Sequence, residues 1–245
     1  MHKPLSFPDL LRLIDERTKA FIAAVDDLDA PVPTCPGWTV FDLVQHLGDG
    51  RRKWAEIVAA GPSDTPPDRT PVEAPREGLA EWMTESTRLL IAALEAAGPD
   101  QGCWNWWGDS QSPPTVATAA RRQLHEIAAH TYDAQVAAGK PEPIPAEIAV
   151  DGVDEFLLTC FSTSSPWPHE PAVVDYRLDE GGSWRISMSA NGARVVEAGD
   201  DVADASAEGA AHDFLMVFYG RGSLEPLKID GNAEVLDQLG AWVPS

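Results

Sequence analysis

Residues 120–139 read ARRQLHEIAAHTYDAQVAAG, which places two histidines and a glutamate on one amphipathic helix. At about 100° per residue, Glu126 and His130 lie four residues apart on the same face, so both can reach one metal ion. His125 points roughly 140° away from His130, so these two histidines cannot bind the same ion from a straight helix. The stretch therefore predicts either a metal site or a polar stripe.

The spacing is not that of the H-E-x-x-H zinc motif, because three residues rather than two separate Glu126 from His130. Asp133 lies three residues after His130 and shares its face. We expect it to hydrogen-bond to a ligand or to act as a weak fourth ligand. His125 is expected to be structural or to line a substrate pocket.

A catalytic metal needs a further ligand, and residues 43–50, LVQHLGDG, offer one on another predicted helix. His46 interrupts the apolar face of that helix, where an imidazole without a partner is costly. His46, Glu126, His130 and a water form a common open zinc arrangement, and two nitrogen ligands favour zinc over magnesium. The same spacing also fits a hydrogen-bonded core histidine and a solvated Glu–His pair.

The periodicity of the chain changes near residue 165, which predicts an N-terminal helical domain over 1–164 and a smaller α+β domain over 165–245. The first domain is expected to contain a four-helix bundle and a fifth helix. Helices are predicted over 7–28, 39–58, 79–97, 113–139, 145–161 and 233–242, helical spacing over 207–222, and strands over 172–178, 183–190, 193–198 and 226–231.

Charge and composition exclude several classes of function. The formal net charge of −21, with no basic stripe, excludes a nucleic-acid partner and disfavours an anionic membrane surface. Asp15 and Glu16 interrupt the N-terminal apolar run, so we expect no signal peptide and a cytoplasmic protein. The three widely spaced cysteines indicate reduced thiols rather than a disulfide framework.

Two segments resemble the signature regions of the mycothiol-dependent maleylpyruvate isomerase family. They are CPGWTVFDLVQHLGDGRRKWA at 35–55 and SPPTVATAARRQLHEIAAHTYDAQVAAG at 112–139, and the resemblance extends through IAVDGVDEFL at 148–157 and residues 214–239. It implies a DinB-like four-helix bundle followed by a sterol-carrier-like α+β domain. It also implies a divalent metal, usually zinc, bound by His46, Glu126 and His130.

The resemblance further implies a functionally important arginine in the second domain, which matches Arg221 in YGRG. A planar, bidentate cation suits a dicarboxylate substrate in a chain with few positive charges. The other interpretation of Arg221 is a helix C-cap or an ordinary ion pair.

The chemistry that the resemblance implies uses the low-molecular-weight thiol mycothiol, held by the metal as a thiolate. The thiolate adds to a cis double bond and leaves after rotation, as in an isomerase, or stays attached, as in an S-transferase. The alternatives are a non-catalytic binding protein with the same fold and a hydrolase that uses zinc-bound water. The tryptophans of WNWW, residues 104–107, are expected to line a ligand wall or to plug the space between the domains.

Overall fold

The computed structural model describes residues 3–197, 199 and 201–243. Contacts between residues divide the chain into two compact units. A helical unit comprises Leu5–Trp106 and Pro114–Ile144, and an α+β unit comprises Trp107–Pro113 and the described residues from Pro145 onward. The α+β fold class is confirmed.

Four helices form the helical unit: α1 Phe7–Ala24, α2 Val40–Ala60, α3 Leu79–Ala97 and α4 Val116–Ala137. Helix α2 packs on α3, and α1 packs on α4. A capping box fixes the start of α2, because the Thr39 hydroxyl accepts from the Asp42 N–H while the Asp42 carboxylate accepts from the Thr39 N–H. Fully buried apolar side chains from all four helices form the core, among them Ile14, Phe21, Leu43, Ile57, Leu90, Leu94, Leu124 and Ile127.

The first helix is shorter than its periodicity predicts, since it ends at Ala24 rather than at residue 28. Val25 is extended, and the side chain of Asp27 accepts a hydrogen bond from the backbone N–H of Asp29. Aspartate favours such local turns over helix continuation. The prolines that follow then carry the chain into the loop before α2.

The α+β unit contains helix α5 Ala146–Phe156, a π-helix over Leu157–Phe161, and a five-stranded sheet with helices α6 Ala211–Phe218 and α7 Ala233–Ala241. The strands are β1 Ala172–Leu178, β2 Ser183–Ser189, β3 Gly192–Val196, β4 Ala205–Gly209 and β5 Lys228–Gly231. Their order in the sheet is β3-β2-β1-β4-β5, with β1 and β4 parallel and the other neighbours antiparallel. Helix α5 therefore belongs to this unit by its contacts, although its sequence continues the helical pattern of the first domain.

Strand β4 corrects the prediction of helical spacing over residues 207–222. Residues Ala205–Gly209 pair with β1, and the helix begins only at Ala211. The strand consists of small and polar residues, ASAEG, which lack the β-branched and aromatic side chains that mark strands in a sequence. Pairing with β1 and close packing of Gly209 against Leu227 decide its conformation.

In the described part of the chain, no helix is both long and apolar enough to cross a lipid bilayer. None of the three cysteines is paired in a disulfide; Cys103 is buried, and the other two are half-buried. Burial raises the pKa of the Cys103 thiol.

Gly48 permits the close approach of α2 and α3, because a Cβ atom there would overlap the ring of Trp82. We expect Gly48→Ala to lower the free energy of unfolding by about 1–3 kcal/mol through overpacking. Gly50→Ala is the matched control on the same helix, since a Cβ atom there meets nothing within 4 Å. That control should be neutral or stabilising by about 0.5–1 kcal/mol. Urea denaturation of both variants measures the difference, and equal effects would contradict the packing.

Candidate metal centre

The structure brings the three predicted ligands together inside the helical unit. His46 is on α2, and Glu126 and His130 lie one turn apart on α4. The Nε2 atom of His46 is 3.0 Å from Glu126 Oε1, and the Nε2 atom of His130 is 3.4 Å from the same oxygen. One ligand atom from each residue lies within 4.8 Å of the other two.

These separations fit a divalent metal. In a tetrahedral zinc site with metal–ligand bonds of about 2.0–2.1 Å, neighbouring ligand atoms are roughly 3.3 Å apart. The two distances to Glu126 Oε1 are close to this value, so small movements of the side chains would admit an ion. His46 is 43% exposed at its side chain, which leaves one side of the group open to a further ligand.

Asp133 fixes the orientation of His130. Its side chain is fully buried, and its Oδ2 atom lies 2.7 Å from His130 Nδ1. Because a carboxylate accepts hydrogen bonds, this contact places a proton on Nδ1, which donates to Asp133. The Nε2 atom faces Glu126 and His46. A carboxylate behind a histidine in this way raises the basicity of the imidazole as a metal ligand. We expected Asp133 either to hydrogen-bond to a ligand or to act as a weak fourth ligand, and this geometry matches the first role.

Opposing effects set the pKa values of the two candidate ligands on α4. Burial raises the pKa of Glu126, but hydrogen bonds with His130 and His46 and the charge of Arg122 bring it well below its usual value. Burial likewise lowers the pKa of His130, but hydrogen bonds with Asp133, Cys35 and Glu126 raise it to about 10. The site therefore strongly favours a cation beside the carboxylates, and a divalent ion can replace the protons there.

A second group of potential ligands shares His130. The Sγ atom of Cys35 is 3.4 Å from Asp133 Oδ2, and one ligand atom from each of Cys35, His130 and Asp133 lies within 4.8 Å of the others. The loop that carries Cys35 also carries Trp38, whose ring lies 5.0 Å from that of His46 and 6.3 Å from that of His130. This loop therefore packs beside both imidazoles.

A cleft of about 460 Å³ opens beside His46 and Glu126. Two cations line it: Lys53 is exposed, and Arg122 is 7% exposed with a guanidinium nitrogen 3.4 Å from Glu126 Oε2. Trp106, 51% exposed, forms part of its wall. Asp49 also lines the cleft, which therefore combines the candidate ligands, charged groups of both signs and a flat apolar surface.

A buried arginine supports this part of the bundle. Arg51 is 2% exposed, and its guanidinium donates to the hydroxyls of Thr18 and Thr87. Burial lowers the pKa of Arg51, and the charges of Glu126 and Asp15 oppose that shift. A positive charge inside the bundle is thus balanced in part by one of the candidate ligands.

The other predicted site residues are outside this group. His125 is buried, at 1% exposure, and does not belong to either group of potential ligands. Arg221 lies after α6 in the α+β unit, where its guanidinium donates to the Tyr219 carbonyl oxygen at 2.7 Å. The WNWW tryptophans differ from one another, because Trp106 lines the cleft whereas Trp107 is 1% exposed in the core.

Sequence reasoning missed Arg122, Lys53 and the position of Cys35. Arg122 precedes Glu126 by four residues, so the helical spacing that paired Glu126 with His130 also predicts this contact. Lys53 lies seven residues after His46, two helical turns along the same face. The approach of Cys35 to Asp133 joins residues far apart in the chain and has no local signal.

Comparisons with known proteins extend over both units. The family described as the mycothiol maleylpyruvate isomerase N-terminal domain matches residues 11–135, and the MDMPI C-terminal domain matches residues 147–238. Among solved structures, the mycothiol-dependent maleylpyruvate isomerase and a histidine-to-alanine mutant of it are similar to this chain. Each is 13% identical, with 92% of this chain and 93% of that chain covered and a TM-score of 0.56. At this identity the similarity concerns the fold. No curated protein matches the chain significantly.

Removal of a ligand tests the metal centre. We expect His46→Ala and His130→Ala to lose bound zinc while the helical circular dichroism is kept, because two remaining ligands do not hold a catalytic ion. His169→Ala is the control, since His169 is an exposed histidine of the α+β unit and should leave the metal in place. Elemental analysis of the purified proteins gives the zinc content. Unchanged zinc in both ligand variants would overturn the assignment.

Proposed function

The chain belongs to the mycothiol maleylpyruvate isomerase family, and on that premise we propose that it catalyses a mycothiol-dependent cis–trans isomerisation of maleylpyruvate or a similar cis-unsaturated acid. The observation that carries this proposal is the convergence of His46, Glu126 and His130 beside an open cleft that contains two cations. Membership of the family suggests the reaction, and we propose that the substrate binds in the cleft.

His46, Glu126 and His130 would hold the metal, for which zinc suits the two imidazole nitrogens best. A divalent ion there would supply the positive charge that keeps a thiol in its thiolate form near neutral pH. Asp133 would keep the His130 ring in place, because its buried carboxylate lies 2.7 Å from Nδ1. Trp38 would shield part of the two imidazoles from water, since its ring lies 5.0 Å from that of His46 and 6.3 Å from that of His130.

In the proposed reaction, the sulfur of mycothiol adds to one carbon of the cis double bond, and the electron pair of that bond passes to the conjugated carbonyl. Rotation about the resulting single bond follows. The electron pair then returns, the carbon–sulfur bond breaks, and the trans product and free thiol leave. No atoms are gained or lost, so the thiol is a true cofactor of the isomerisation.

Lys53 and Arg122 would bind the acidic substrate and the enolate charge that develops during addition. Arg122 is almost fully buried, so its charge acts in a low-dielectric setting, whereas exposed Lys53 would attract anions to the cleft. Trp106 offers a flat wall to the conjugated part of the substrate or to the sugar of mycothiol.

We assign Arg221 to the recognition of a substrate carboxylate as well. Besides donating to the Tyr219 carbonyl oxygen, its guanidinium lies 5.7 Å from the centre of the Tyr219 ring. These contacts orient a planar fork that suits bidentate binding of a carboxylate.

The assay that tests this proposal measures the loss of the cis double bond of maleylpyruvate by ultraviolet absorbance, with zinc-loaded protein and with or without mycothiol. We expect turnover only when mycothiol is present, and recovery of all of the thiol afterwards. Thiol that stays on the product would indicate an S-transferase, and turnover without any thiol would indicate hydrolysis by zinc-bound water. Zinc-loaded protein that turns over nothing would support a binding protein.

Arg221 is tested by a charge-removing and a charge-keeping substitution. We expect Arg221→Gln to lower kcat/KM by about 10- to 100-fold, because a hydrogen-bonded charge pair with substrate is lost. Arg221→Lys should recover part of that loss, since the charge stays but the fork does not. Arg177→Gln is the control, because Arg177 is a half-exposed arginine of β1 in the same unit. Equal rates for Arg221→Gln and the control would remove Arg221 from the site.

A further inference from the structure

The α+β unit contains its own cavity, of about 270 Å³, which shares no lining residue with the cleft beside His46. A space of this size suits a small organic molecule. Aromatic and aliphatic side chains form its walls, and none of the described lining residues carries a charge. Its aromatic part consists of Phe156, Phe161, Tyr176, Phe214, Phe218 and Trp242.

A π-helix shapes one wall of the cavity. In an α-helix, residues five apart point roughly 140° away from each other. The wider π-helical turn over Leu157–Phe161, with the Ser162 N–H donating to the Leu157 carbonyl oxygen, brings Phe156 and Phe161 to the same side. Their rings lie 5.3 Å apart and both line the cavity. Such single π-turns cost helix stability and recur at functional sites.

One polar group belongs to this apolar wall. Tyr176 projects from the buried face of β1, is 4% exposed and packs its ring edge-on against Phe214 and Phe218. None of the described residues forms a hydrogen bond with its hydroxyl, and the oxygen is not among the fully buried polar atoms that lack a partner, so it keeps some accessible surface. Burial raises the pKa of Tyr176 above its usual value, so the hydroxyl stays protonated and available as a donor.

We propose that this cavity is a second small-molecule site, which binds a neutral aromatic compound whose carbonyl or hydroxyl oxygen accepts a hydrogen bond from Tyr176. The aromatic walls favour edge-to-face and offset contacts with a flat ring. The absence of charge among the described lining residues excludes an acid such as the substrate of the metal cleft as its preferred ligand. The site is therefore chemically distinct from the cleft that Lys53 and Arg122 line.

The test compares acetophenone with α-methylstyrene, which has nearly the same shape but carries CH₂ where acetophenone carries the carbonyl oxygen. Each compound is titrated into the full-length, nitrogen-15-labelled protein, and the indole N–H signal of Trp242, assigned with Trp242→Phe, reports binding. Wild type, Tyr176→Phe and Tyr219→Phe are compared. Tyr219→Phe is the matched control, because Tyr219 belongs to the same unit but does not line the cavity.

We expect acetophenone to bind about three- to tenfold more weakly to Tyr176→Phe than to wild type, because one hydrogen bond is lost. The affinity of α-methylstyrene should stay the same or rise, which also shows that the cavity has kept its shape. Tyr219→Phe should resemble wild type for both compounds. Failure of both compounds to shift the Trp242 signal, or an equal loss of affinity for both in Tyr176→Phe, would overturn the proposal.

Discussion

The carboxylate of Glu126 lies within hydrogen-bond distance of one imidazole on its own helix and of another on α2, and this contact holds the polar interior of the helical unit together. It requires α2 and α4 to present polar side chains to each other within a bundle whose core is otherwise apolar. The cost of burying these groups is offset by a connected set of hydrogen bonds that includes fully buried Asp133. A divalent ion among the same atoms would strengthen that set, since it replaces protons with a charge that both imidazoles and the carboxylate can bind.

Helical spacing was sufficient to pair Glu126 with His130, because residues four apart on a helix share a face whatever the rest of the fold does. The cost of a histidine on an apolar face then selected His46, which the structure brings to the same carboxylate oxygen. Asp133 followed from the same periodicity. The sequence pattern also predicts the four bundle helices and the strands β1, β2 and β3. Asn191 and Gly192 predict the hairpin turn between β2 and β3.

The features that the sequence could not predict depend on tertiary contacts, which give no signal in the local sequence. Strand β4 consists of small and polar residues, and its pairing with β1 and β5 distinguishes it from the start of a helix. The contact of Cys35 with Asp133 joins a loop to a helix across 98 residues of chain. The position of Tyr176 in the wall of the cavity likewise depends on the sheet and its helices, because alternation along β1 predicts a buried side chain but not its surroundings.

X-ray absorption at the zinc K-edge identifies the atoms that bind the ion in the zinc-loaded protein. Before mycothiol is added, we expect only nitrogen and oxygen neighbours, from His46, Glu126, His130 and solvent. After addition, a sulfur neighbour should appear at about 2.3 Å, and it should also appear in Cys35→Ser, where the thiol of the protein cannot supply it. Sulfur before addition would assign the ion to Cys35, His130 and Asp133 instead. A spectrum without sulfur after saturation with mycothiol would contradict thiolate binding at this centre.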